Sequence, residues 1–186
     1  MKIYRIKTDS NNVQALNIID GDKAKVQLPM FDCDSVINDW QPLDVYIHNP
    51  KTKPKNFYQL DLGTLVCDEY TLEICYSVFE TCGEILPIQV ERGPKLYMLN
   101  ILKCMNGLNY DTTEWAYFKD GTRGRILKYS FHLDRLISAS SIFKIPETAK
   151  TAMFTYSSSK DEENEFYTLY NKHNLTGLIF EELQSS

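Results

Sequence analysis

Between Asp68 and Gly83 the apolar residues Leu72, Cys75, Val78, Phe79 and Cys82 recur at intervals of three and four, the spacing of one helix face. Asp68 suits the N-cap and Gly83 the position just past the C-terminus. Most of the remaining chain changes to a period of two. Strand patterns run over residues 2–8, 24–31 (with Pro29 marking an edge or an end), 43–48, 85–90, 96–102, 114–118, 126–133, 141–145 and 176–183. Turn-forming pairs separate them at Asn11-Asn12, Asp20-Gly21-Asp22, Gly93-Pro94, Asn106-Gly107 and Asp120-Gly121. One helix among many short strands predicts an α+β fold, a mainly antiparallel sheet with one mid-chain helix and one C-terminal helix packed on it.

The C-terminal helix has its own signals. Ser159 and Glu162 have capping-box spacing, and Asp161, Glu162 and Glu163 would place negative charge in the first turn. Phe166, Leu169 and Tyr170 make an apolar face, Lys172 and His173 close it, and Asn174 suits a left-handed cap. The 186 residues fit a single domain, 1–186. The lysine- and proline-bearing stretch 49–56 is the best place for a sub-domain boundary, with 1–60 as a small N-terminal lobe and 61–186 as the remainder.

The charge balance narrows the partners. The net charge is −5, and residues 1–90 hold 8 Lys/Arg against 13 Asp/Glu while residues 91–186 hold 12 of each. That argues against nucleic acid, which selects a basic stripe, and against anionic membranes. The first residues alternate like a strand and do not resemble a signal peptide, and no run of apolar residues is long enough to span a bilayer, so the expected location is the cytoplasm. The five cysteines, Cys33, Cys67, Cys75, Cys82 and Cys104, are odd in number and irregularly spaced, which reads as reduced and mostly buried thiols.

Catalytic and metal-binding motifs are absent. The chain has no phosphate-binding glycine loop, no GxSxG, no HExxH and no Cys/His cluster with zinc spacing, so neither cofactor nor metal is expected. Among the three histidines, His132 stands two residues from Asp134, and on a strand the two would share a face as a base–carboxylate pair. A surface or cross-strand pair has the same appearance. Cys104 is a nucleophile candidate if the fold brings it to His132.

The most distinctive chemistry is acidic and aromatic. Residues 31–44 carry Asp32, Asp34, Asp39 and Asp44 with Phe31 and Trp40 and no basic residue. Aromatic anchors ringed by one sign of charge suit a basic protein surface, since charge steers the encounter and rings supply contact energy. The candidate partner-binding residues are therefore Asp32, Asp34, Asp39, Trp40 and Asp44. The plainer reading is a solvated loop whose Trp40 plugs the core. Asp32-x-Asp34 lacks the rest of a calcium-binding loop.

The order of motifs in the last two-thirds of the chain is the helix after residues 62–68, then Ile85–Ile88, Tyr97-Met98-Leu99-Asn100-Ile101, Ser141–Pro146, a terminal helix and Leu175-Thr176-Gly177-Leu178-Ile179-Phe180. This order resembles immunity protein family eleven of bacterial polymorphic toxin systems, whose members carry a "yLLNv" strand, an "iFRl" strand and a last helix followed by "LTGlrF". Lys144 stands where that family often has Arg, Phe154–Ser159 replaces a "vfvSd" stretch, and residues 1–60 match less clearly. The resemblance implies a non-enzymatic cytoplasmic protein that binds and neutralises a cognate toxin protein, the C-terminal domain of a secreted effector, by stoichiometric occlusion. It names neither the toxin nor the surface, and the oligomeric state stays open. Two other readings stand beside it: a small hydrolase that reverses a toxin modification through His132 with a carboxylate or Cys104, and a scaffold or regulatory module unconnected with toxins.

Overall fold

A computed structural model of the chain describes residues 1–19, 31–60, 63–136, 140–158 and 163–185. The strands in chain order are β1 (Lys2–Thr8), β2 (Leu16–Ile18), β3 (Leu43–Ile47), β4 (Phe57–Tyr58), β5 (Leu65–Asp68), β6 (Gly83–Val90), β7 (Leu96–Ile101), β8 (Glu114–Tyr117), β9 (Arg123–Lys128), β10 (Ile142–Lys144), β11 (Met153–Ser157) and β12 (Leu178–Ser185). The helices are α1 (Glu69–Cys82), α2 (Leu133–Leu136) and α3 (Phe166–Lys172). The fold is α+β and mainly antiparallel, as the periodicities predict.

Two sheets carry the structure. One has the order β10-β11-β1-β12, every pair antiparallel. The other has the order β2-β3-β6-β7-β5-β4, antiparallel except for β3 beside β6. Both draw strands from residues 1–60 and from the rest of the chain. In a separate two-stranded hairpin, β8-β9, Arg123 lies over the rings of Tyr110 and Trp115 at 5.1 and 5.5 Å.

The period of two decides which core each strand side chain enters. Ile6, Ile142 and Met153 from the first sheet meet Phe57, Leu65, Cys67, Leu99 and Ile101 from the second, together with α1 and α3, in one central core. The opposite face of the six-stranded sheet offers Leu43, Val45, Tyr58, Val66, Leu86, Ile88, Leu96 and Met98 to Phe31 and Trp40. The opposite face of the four-stranded sheet offers Ile3, Phe143, Ile145 and Phe154 to Leu108, Phe131 and Leu136. Among the described residues no helix is long and apolar enough to cross a membrane.

Helix α1 follows its sequence signals closely. The Asp68 carboxylate accepts from the Thr71 N–H at 2.8 Å, and Thr71, Cys75, Val78, Phe79 and Cys82 are buried, with Leu72 half-buried beside them. Gly83 departs from expectation. Its backbone is extended, not left-handed, and it begins β6. Glycine is required there for space, because a Cβ would lie 1.9 Å from the Asn100 carbonyl oxygen on the neighbouring strand.

Three other expectations are corrected. Strand β9 covers 123–128, since the chain after it turns into the short helix α2. Gly107 is not a turn tip but is buried against Leu136 and Phe131. Helix α3 begins at Phe166, with Glu163 in a turn ahead of it. Glu165 takes the N-cap place and spends its carboxylate on the Ser158 N–H at 2.9 Å and the Ser158 hydroxyl. Ser159, Asp161 and Glu162, like Asp20-Gly21-Asp22 and the strand pattern up to Met30, lie outside the described residues. Asn174 is left-handed as expected, with φ at 53°.

Candidate partner-binding face

The acidic segment is an irregular run over the outer face of the six-stranded sheet, broken only by a 3-10 turn at Ile37–Asp39. Such a run must find partners for its own backbone polar groups or remain mobile. Buried side chains at two anchor points supply them.

The first is Glu84. It lies in phase with the inward residues Leu86 and Ile88 on β6 and directly opposite Asn100 on β7. Its carboxylate accepts from the Ser35 hydroxyl, from the Val36 N–H at 3.0 Å and from the Asn100 amide at 3.1 Å. The same Asn100 amide donates to the Asp34 carbonyl at 2.9 Å. Burial raises the Glu84 pKa, but the bonds from Ser35, Val36, Asn100 and the Ile37 N–H outweigh it and hold the group below its ordinary value.

The second is Lys144. Strand β10 places it in phase with Ile142 on the core side, fully buried, and its ammonium donates to the Phe31 carbonyl at 2.6 Å. Burial lowers its pKa, while the acidic groups facing it, Cys33, Asp32 and Cys104, act in the opposite sense. The segment is thus fastened at Phe31 from one sheet and at Asp34 to Ile37 from the other.

Fixed in this way, Asp34 and Asp39 are exposed, and Asp32 is half-buried near Lys144. Trp40 turns its ring inward, edge-on to Phe31 at 6.2 Å between centroids, and its indole N–H donates to the Pro87 carbonyl at 3.0 Å. It anchors the segment to the core and leaves one edge at the surface. Asp44 is exposed but alternates with the buried Leu43 and Val45, so it faces the opposite side of β3. The structure groups Asp32, Asp34, Asp39 and Trp40 and sets Asp44 apart.

His132 and Asp134 do not alternate on a strand, because residues 133–136 are helical and the His132 carbonyl accepts from the Arg135 N–H at 3.1 Å. Cys104 is bridged to Lys144, in the neighbourhood of Cys33. Among the described residues no group of three or more His, Cys, Asp or Glu side chains is placed to hold a metal ion.

The anchoring role of Glu84, Asn100 and Lys144 is absent from the sequence reading, though each leaves a signal. Each is a polar residue standing in phase with buried apolar neighbours on a strand. Such a residue needs a partner, and its partner marks a segment folded onto the sheet. A scan against models of protein families returns no match to this chain, and a search of curated proteins returns none.

Proposed function

We propose that this chain is a cytoplasmic immunity protein that binds a cognate toxin domain and blocks it by occupying its surface, without catalysis of its own. The observation that carries the reading is the rigid display of Asp34 and Asp39 on a segment anchored by buried Glu84 and Lys144. A fixed array of like charge loses little conformational freedom on binding and steers a basic partner toward it. The resemblance carried by the strand, helix and Leu175–Phe180 motifs supplies the identity of that partner as a toxin.

The motif itself works as a fastening. Thr176 donates through both its N–H and its hydroxyl to the Asn56 side-chain oxygen at 3.0 Å, and its carbonyl accepts from the Phe57 N–H at 3.1 Å. Gly177, with φ at 109°, lets the chain pass Phe57 where a Cβ would come within 2.9 Å of its carbonyl oxygen. Those residues fasten the fold, and in this reading the acidic segment is the part that faces the partner.

Co-expression with the protein encoded by the adjacent gene tests the proposal. The expected result is a one-to-one complex by light scattering and survival of cells that otherwise die on expressing that protein. Two separate monomers at low and moderate salt, with no rescue, would contradict it.

A further inference from the structure

Three of the five cysteines, Cys67, Cys75 and Cys82, fill the central core. The other two do not. Cys104 is exposed, Cys33 is half-buried, and although far apart in sequence both are held beside Lys144. Lys144 brings them together by two independent means. Its backbone pairs with the 103–105 segment, donating to the Lys103 carbonyl at 2.8 Å and accepting from the Met105 N–H at 2.9 Å, which places Cys104 alongside it. Its side chain holds the Phe31 carbonyl, two residues before Cys33. Cys33 adopts a left-handed backbone, φ 74°, a conformation that a non-glycine residue holds only where its surroundings impose it.

We propose that Cys33 and Cys104 are a dithiol site that small-molecule disulfides of the glutathione class oxidise to an intramolecular disulfide. The exposed Cys104 acts first. Its thiolate attacks one sulfur of the small disulfide, the S–S bond breaks, and the departing thiolate takes up a proton as free thiol. Cys33 then attacks the Cys104 sulfur of the mixed disulfide and releases the second small thiol. Two electrons pass from the protein to the oxidant, and the two cysteine protons end on the two released thiols.

The order of events follows from the surroundings. Burial and the neighbouring Cys104 push the Cys33 thiol up to about 11, so in the resting protein it stays protonated and serves as the resolving thiol. The Lys144 ammonium beside it favours the thiolate once Cys104 is capped. The linkage would tie the start of the acidic segment to the end of β7. The chemistry stands independently of what that segment binds.

The test is oxidation of the folded full chain with oxidised glutathione, followed by non-reducing digestion and mass mapping. The expected product is one peptide pair joining Cys33 to Cys104, two hydrogens lighter than the free thiols, formed much more slowly in urea. Cys33→Ser should instead stop at glutathione attached to Cys104. A wild-type protein that also stops at the Cys104 adduct, or links Cys104 to another cysteine or to a second chain, would overturn the proposal.

Discussion

A carboxylate pressed against the face of a sheet is stable only while it is ionised and bonded, and Glu84 meets both conditions through Ser35, Val36 and Asn100. Removing it takes the acceptor away from Ser35, Val36 and Asn100. Glu84→Ala should cost about 1–3 kcal/mol in urea unfolding and expose the Val36 amide to hydrogen exchange. The pH dependence has a definite sign. The folded pKa lies below the ordinary value of 4.5, so this stabilisation is present above pH 4.5 and is lost as pH falls through the folded value. Glu84→Gln should flatten that part of the acid profile. An acid profile unchanged by Glu84→Gln would show that the segment is held by something else.

At the scale of elements, each part of the chain shows which forces were readable from sequence. Helix α1 was legible because cap, face and length are all local, and Asp68→Ala should cost about 1 kcal/mol, measured by thermal or chemical unfolding. The C-terminal helix starts later than its local signals predict. Glu165 is drawn away to Ser158 and Phe166 donates its N–H to the Ser141 hydroxyl at 2.6 Å, so tertiary bonds fix that end. Gly83 has the sequence neighbourhood of a helix-end cap, whereas the Asn100 carbonyl it must clear comes from a strand paired later in the chain. Gly177 combines both demands, positive φ and close approach. Gly177→Ala should therefore destabilise by more than about 2 kcal/mol, while Gly121→Ala, with φ at 83° and nothing within 4 Å, should cost less. Equal losses at the two glycines, compared by chemical denaturation, would refute the role assigned to the Phe57 crossing.

Over the whole molecule, the two sheets share α1 and α3 between them, which leaves each with an outer face to cover. Strand alternation and composition were enough to give the α+β class. They could not reveal that residues 31–40 cover one of those faces, since the bonds that hold them come from β6, β7 and β10. The same long-range bonds separate the acidic residues that sequence grouped together, leaving Asp34 and Asp39 on the covering segment and Asp44 behind β3. The most direct measurement is the affinity of the Asp34→Lys/Asp39→Lys double variant for the proposed toxin partner, set beside Asp44→Lys. Both sides of the comparison need an unfolding midpoint equal to that of the wild type. The account predicts at least about a tenfold loss for the double variant, since like charges brought together cost several kcal/mol, and little change for Asp44→Lys. Wild-type affinity in the double variant would place the partner on another face.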